Sequence, residues 1–361
     1  MRFASVTLQN FRNLPLVSVR LAGRHTFLVG ANGQGKTNFL EALGYVTALR
    51  SFRGAEPRAL VALGQAQAGL GFTIEHEQFG ESKLAITFGA DGRTVEWEQG
   101  KVTRLADFIG KFPTVVFSSQ DNQLLRGSPS LRRRWLDLTL AAMDGAYLAA
   151  LQGYTRAVAE RNILLKHGGR DAGSLTAFER EAAIHAVKLV AARAAGVGEL
   201  SELFRLAHAR LVPEGESAAL VYAPDTAAST TDEFAAQLAK SRPRDTLLKS
   251  TERGPDRDDL EFLLQGRPAK NFASEGQQRC LVIAVRLAQA TYFKQHSAIE
   301  PVLLCDDVLG ELDPERRRKF WASLDGQPQV VATGTALPDA ETGVWQVLRV
   351  AGGQIGEGGA A

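Results

Sequence analysis

Eight residues near the start of the chain, Gly30-Ala31-Asn32-Gly33-Gln34-Gly35-Lys36-Thr37, constrain the fold more than any other feature. They follow the strand-like run "TFLV" and open a segment, Lys36 to about Arg50, in which Phe39, Leu40, Leu43, Val46 and Leu49 share one helical face. Strand, glycine-broken turn and helix, with the spacing G-x-x-x-x-G-K-[ST], predict an α/β unit whose turn cradles phosphates. The residue types follow from the chemistry. Glycines let backbone N–H groups wrap the phosphates, Lys36 places a point charge between the β- and γ-phosphates, and Thr37 ligates Mg2+. The bland reading, a glycine-rich turn with no ligand, is disfavoured by the strand–turn–helix context.

A second turn raises a question. "NFASEGQQR", residues 271–279, opens another helix, Gln277 to about His296, with Ser274 and Gly276 just before it. Exposed N–H groups at a helix start suit an anion. A third element, "PVLLCDD", is an apolar strand ending in Asp306 and Asp307. Buried strands rarely end in paired carboxylates without a cation or a helix N-terminus to neutralise them. Beside a phosphate cradle, Asp306 is expected to hold Mg2+ and Asp307 to orient or deprotonate the attacking water. Alone, such an end also reads as a strand leading into a polar turn. "GELDPERRRKF" follows, with Asp313 and then Pro314 starting a helix.

The 361 residues allow one large domain or two ordinary ones with a real core. Apolar residues make up 45% and charged ones 23%, and a net charge of +2 is too small to argue for nucleic acid by itself. Cys280 and Cys305 lie in apolar segments without metal spacing and read as small buried hydrophobes in a reducing compartment. The start "MRFASVTLQNF" alternates like a strand, and no apolar run approaches the ~20 residues of a membrane span. A cytoplasmic protein without membrane contact is expected.

The first part of the chain reads as β-rich, with "ADGR" and "EQGK" as hairpin turns. From about Ser128 to Val212 helical patterns dominate. The stripe Leu148, Leu151, Tyr154 and Val158 marks one helix, and Thr176-x-x-Glu179 reads as the capping box of the next, with Gly196 and Gly198 as break points. These two helices read as an antiparallel arm. From Asp259 the α/β pattern resumes, and the glycine-rich tail reads as disordered.

A Ser-x-Gly-Gln turn far from the P-loop, with a helical arm between, resembles one class of ATPase, in which that turn docks on the ATP of a second copy. Over its whole length the chain resembles the RecF family of bacterial recombination mediators. The segments that carry this are "LQNFRNL", "GANGQGKTNFLEAL", "LRSFRG", "VVFSSQDNQLLRGSPSLRRRWLD", "GPDRDDLEF", "ASEGQQR" and "LLCDDVLGELD". The resemblance implies an α/β fold, an ABC-type P-loop ATPase head split in sequence by a mostly helical arm. Residues 1–120 and 258–350 would form the head, 121–257 the arm and 351–361 a disordered tail. It implies a weak, DNA-dependent ATPase that uses ATP and Mg2+, dimerises on ATP, binds duplex and gapped DNA, and works with RecR and RecO to load RecA.

Residue by residue, Gly30 to Thr37 is the Walker A loop, with Asn38 beside it, and Asp306 and Asp307 are the Walker B pair. Ser274, Gly276 and Gln277 form a signature acting in trans, and Asp313 lies at the dimer face. Arg12 and Asn13 sit where such ATPases approach the nucleotide. Gln120 or Asp121 fills the Q-loop role. The chain departs from the pattern at Ser119, where proline is usual, and at Glu275, which sets a negative charge near a γ-phosphate. "VVATGTAL" offers Thr333 and Thr335 in place of a switch histidine. Asp307 is one methylene shorter than the usual glutamate, so slow hydrolysis is expected.

DNA binding rests on the resemblance. The basic clusters Arg50/Arg53/Arg58, Arg132–Arg134, Arg156/Arg161/Lys166 and Arg316–Lys319 read first as solvated helix faces, the run at 132 also as packing against the head, and they permit phosphate contacts. A nucleotide-gated protein scaffold without DNA is the alternative. A small-molecule kinase is disfavoured, having no use for the second turn or the arm.

Overall fold

A computed structural model of the chain describes all residues except 99, 213, 214, 309, 311–313, 325, 338–343 and 358–361. In chain order the first elements are β1 (Arg2–Phe11), β2 (Leu14–Arg20), β3 (His25–Val29), α1 (Lys36–Ala48), β4 (Ala68–His76), β5 (Gly80–Gly89), β6 (Gly92–Trp97), β7 (Gly100–Lys101) and β8 (Thr114–Ser118). Next come α2 (Asn122–Arg126), α3 (Pro129–Ala141), α4 (Gly145–Lys166), α5 (Ala172–Leu211), β9 (Ala218–Ala223), α6 (Thr231–Leu248), β10 (Asp259–Leu264), β11 (Arg267–Pro268), α7 (Ala269–Phe272) and α8 (Glu275–Ser297). The last are β12 (Val302–Asp306), α9 (Pro314–Ala322), β13 (Val330–Gly334), β14 (Gln346–Ala351) and β15 (Gln354–Glu357).

The chain divides into two compact units, one of Met1–Asp121, Ala207–Pro213 and Ile283–Ala361, the other of Asn122–Leu206 and Glu214–Val282. The first holds two sheets. One is antiparallel, in the order β2-β1-β4-β5-β6-β7, and its strands alternate buried and exposed residues, as in β5. The other runs β15-β14-β3-β13-β12-β8 and is parallel except for its terminal β14–β15 hairpin. Strand β8 at one end of the order, "TVVFS", and its neighbour β12, "VLLCD", are buried along their whole length, as a sheet covered on both faces requires. Helix α1 touches β1 of the first sheet and β8, β12 and β13 of the second. Its Phe39, Leu40, Leu43 and Val46 are fully buried in the core. The parallel register aligns the C-terminal ends of β3, β13 and β12, the edge at which open α/β sheets bind ligands.

The second unit is mostly helical. Helices α4 and α5 are antiparallel: Tyr147 meets Arg193, and Arg161 meets Glu179. Helix α5 starts before Thr176, whose hydroxyl donates to Ala172 O, so the expected capping box is absent; Glu179 instead binds Arg161 and Arg242. The helix also passes through Gly196 and Gly198 without a break. At Gly196 a Cβ would stand 2.5 Å from Leu140 Cδ2, so the glycine serves close helix packing. The real capping box is Thr230 with Glu233, opening α6.

Residues 258–282, expected in the head, fall in the second unit. Strand β10 pairs with β9, Asp259 opposite Ala223 and Leu264 opposite Ala218, in a three-stranded sheet with β11. Of the tail expected to be disordered from 351, residues 358–361 lie outside the described residues and 351–357 are ordered. There β15 pairs with β14, Val350 opposite Ile355, and β14 lies parallel to β3. Cys280 and Cys305 are both buried thiols. Among the described residues no helix is long and apolar enough to cross a membrane.

Candidate functional site

Strand β3 delivers the chain into the glycine-rich loop, and α1 begins at Lys36. Gly33 and Gly35 have φ of 78° and 116°, backbone that other residues rarely adopt. Gly30 N–H donates to Gly334 O at 3.3 Å, which ties the loop to the end of β13. Lys36 Nζ donates to Gly30 O (2.7 Å) and Ala31 O (3.1 Å), so its charge lies inside the curl of the loop. Ala31, Asn32 and Gly33 are exposed, and Gln34 is half-buried.

The acidic strand end lies against the start of α1. Thr37 Oγ1 donates to Asp306 Oδ1 at 2.8 Å, and Thr333 Oγ1 donates to the same oxygen at 3.1 Å. Burial raises the Asp306 carboxyl above its ordinary value, and adjacent Asp307 adds to this; the Thr37 and Thr333 hydroxyls and the nearby Arg53 oppose it. A buried carboxylate beside a hydroxyl is a donor set that fits a hard cation. Among the described residues no group of three or more His, Cys, Asp or Glu stands together as a metal cluster, so protein carboxylates alone do not build a cage. Asp307 is left-handed, with φ 57°, and its N–H donates to Thr333 Oγ1 at 3.0 Å.

Around α1 lies a group that the sequence reading reached only in part. Glu41 is fully buried and accepts from Arg12 at 3.0 and 2.9 Å, from Ser51 at 2.5 Å and from Arg53 at 3.4 Å. Arg53 also donates to Asn38 Oδ1 (2.8 Å). Asn38 Nδ2 donates to Asn13 Oδ1 (2.7 Å), and Asn13 Nδ2 to Gly33 O (3.1 Å). Asn13, with Asn38 bound to it, thus reaches the loop at Gly33, whereas Arg12 is held on buried Glu41 and on Ala59 O. Two arginines on one buried glutamate leave a net positive charge beside it.

Ser274 forms a reciprocal cap on α8: its Oγ accepts from Gln277 N–H at 3.3 Å, while Gln277 Oε1 accepts from Ser274 N–H at 2.9 Å. Gln277 Nε2 donates to Glu216 Oε1 (2.9 Å), and Glu216 Oε2 is buried without a hydrogen-bond partner among the described residues. Glu275 turns toward Arg279, 3.5 Å away. Ser274 is exposed and Gly276 half-buried.

The two Q-loop candidates differ. Asp121 is buried and accepts from Arg286 at 3.0 and 2.5 Å and from Ser118 N–H, whereas Gln120 is exposed just beyond β8, whose Ser118 pairs with Asp306. Asp313 lies outside the described residues.

Several residues of the basic clusters are internal. Arg161 is fully buried against Glu179, Asp245, Thr251 and Leu238 O. Arg132 forms a bidentate pair with Asp259 (2.8 and 2.9 Å), and Arg133 donates to Asp258 O (2.6 Å). The segments "GSPSLRRRWLD" and "GPDRDDLEF" are therefore each other's partners, joined again where Arg193 bridges Asp137 and Asp258. Burial alone would raise the Asp259 carboxyl; the bonds from Arg132 and Leu260 N–H prevail and hold it below its ordinary value.

The family model of the RecF/RecN/SMC N-terminal domain matches residues 3–334. The DNA replication and repair protein RecF of Geotalea daltonii is 31% identical, over 93% of this chain and 94% of its own length. That of Geobacter metallireducens is 34% identical, over 91% and 92%. A solved structure of the recombination mediator protein RecF with ATP, of the RecFOR pathway, matches with a TM-score of 0.89 at 25% identity, covering 98% of this chain and 97% of that one. Loop, acidic strand end and helical insertion thus stand in an order shared along nearly the whole chain, which belongs to the RecF family of SMC-like ATPases.

Proposed function

We propose that the chain is an ATP-gated DNA clamp that serves recombinational repair in the cytoplasm. Gly30 to Thr37 cradle the triphosphate, with Lys36 swinging from the carbonyls of Gly30 and Ala31 to the β- and γ-phosphates. Thr37 and Asp306 hold Mg2+. The cation supplies charge neutralisation on the phosphate oxygens. Asp307 orients or deprotonates the attacking water, and Arg12, Asn13, Asn38 and Gln120 border the nucleotide. Ser274, Gly276 and Gln277 complete the site of a second copy, with Asp313 at the same face. ATP is then the adhesive of a homodimer on duplex or gapped DNA, slow hydrolysis releases it, and RecR, RecO and RecA are the partners.

One observation carries this reading: the 2.8 Å bond from Thr37 to Asp306, which joins two motifs 269 residues apart at one point. The test is sedimentation with ATP–Mg2+, ADP or neither, duplex DNA present and absent. A dimer that forms with ATP alone supports the clamp. A protein that stays monomeric at saturating ATP with duplex present sinks it.

A second reading has an observation of its own. Arg132 and Arg161 are taken up by internal carboxylates, which removes cations from any DNA face and favours a nucleotide-gated scaffold for a protein partner. The ATPase rate with and without duplex at two salt concentrations separates the two, because DNA stimulation that fades with salt belongs to the clamp.

A further inference from the structure

We propose that the turn between β14 and β15 is a wall of the nucleotide site, and that Gln34 is the positioning residue through which nucleotide and hairpin sense one another. This rests on the nucleotide reading of the Gly30–Thr37 loop. Three separate features join hairpin and loop. Gly352 N–H donates to Gln34 Oε1 at 2.6 Å. Val350 O lies so close to Gly30 that a Cβ there would stand 2.3 Å from it. Gly353, at φ 77°, packs on the backbone of Asn13, where a Cβ would stand 2.2 Å from the carbonyl oxygen, and Asn13 in turn holds Gly33 O.

The topology makes this a property of the site. Strand β14 runs parallel to β3, with Gln346 opposite Thr26 and Arg349 opposite Val29, so its turn emerges at the same edge as the loop. An edge strand that only closed the sheet would need no bond to a loop side chain. Gln34 occupies a position that the G-x-x-x-x-G-K-[ST] spacing leaves open, so phosphate chemistry alone does not call for a glutamine there. The hairpin reaches the loop at Gly30 and Gln34, and through Asn13 at Gly33. A loop held in shape loses less conformational freedom when it closes on phosphates. By linkage, bound nucleotide then steadies the hairpin, although no hairpin residue has to touch it.

The test uses the full chain and Gln34→Leu, which keeps bulk and removes the acceptor. ATP–Mg2+ affinity is measured by calorimetry, thermal stability without nucleotide by calorimetric melting, and hydrogen exchange over residues 346–357 with and without ATP. In the wild type, ATP is expected to slow exchange across the hairpin. In Gln34→Leu the melting temperature without nucleotide stays as in the wild type, ATP binds roughly five- to tenfold more weakly, and the added protection is lost. If the wild type binds no ATP, the nucleotide reading itself fails and this inference with it. If the wild type binds ATP while hairpin exchange is unchanged and Gln34→Leu binds equally well, the hairpin is an edge cover alone; the inference falls and the nucleotide reading stands.

Discussion

The Gly30–Thr37 loop and the Ser274 turn are both helix starts that present backbone N–H groups, yet they are held in opposite ways. The loop is fastened by Gly334, Gly352 and Asn13, and its Gly33 and Gly35 already hold left-handed φ angles. On the proposed function, the Lys36 side chain would leave the loop carbonyls to meet a phosphate. The turn is held mainly from within, by a cap spanning Ser274 to Gln277, with Glu216 bonded to its last member. Its serine oxygen and one first-turn N–H are spent on each other, so docking on a phosphate has to reopen that bond or use the N–H groups it leaves over. On the proposed function, the difference would place nucleotide affinity in the single chain and make pairing the conditional step.

The sharpest way to break that comparison is to remove the charge inside the loop. Lys36→Ala is expected to weaken ATP binding roughly a hundredfold or more, since a charge-assisted contact to phosphate is lost. Titration calorimetry reads it, and an affinity within tenfold of wild type means the loop does not hold the triphosphate. Ser274→Arg comes next. It should leave ATP affinity nearly unchanged and abolish ATP-dependent pairing, because a long cation replaces the cap where the second copy's phosphate arrives. Sedimentation at saturating ATP checks this; a variant that still pairs places the interface elsewhere.

How legible the two regions were follows from how local their chemistry is. Eight consecutive residues define the loop, and the aspartates of "VLLCDD" are adjacent, so spacing alone led to Lys36, Thr37, Asp306 and Asp307. The hairpin left no such mark. Its Gly352 and Gly353 look like a loose tail, and their reasons are distant partners that no periodicity reveals, Gln34 for Gly352, 318 residues away, and the Asn13 backbone for Gly353. Glu41 was hidden for the same reason: on an amphipathic helix it reads as a solvated acid, and only the fold brings Arg12, Ser51 and Arg53 around it. Thr176 and Glu179 satisfy the spacing of a capping box, but Glu179 serves two arginines in the middle of a helix. The basic runs left both readings open for the same reason: acidic partners such as Asp259 lie more than a hundred residues from Arg132. Strand β10 was recognised as a strand and assigned to the wrong body, since a strand's sequence does not name its neighbours.

A smaller effect sharpens the loop side. Asp307→Glu restores the missing methylene and is expected to raise single-turnover hydrolysis about tenfold, by bringing the carboxylate closer to the water. The backbone sets a cost. With φ at 57°, this position tolerates aspartate better than glutamate, so the melting temperature should fall by a few degrees. A hydrolysis rate that stays the same or drops would show that the reach of the carboxylate is not what limits turnover.

The smallest effect concerns Glu216, and it tests whether the turn is merely capped or also restrained. Its Oε1 accepts from Gln277, while Oε2 is buried with no hydrogen-bond donor among the described residues, so a carboxylate stands against the turn at which the proposed docking would bring a phosphate. Glu216→Gln keeps an oxygen for Gln277 and removes the charge. Like-charge repulsion near a protein surface amounts to about 1 kcal/mol, so ATP-dependent pairing should tighten roughly fivefold with ATP affinity unchanged. Pairing that weakens would instead make Glu216 the support that aims Gln277 at the neighbouring site. The turn would then be preorganised like the loop, and the contrast between them would vanish.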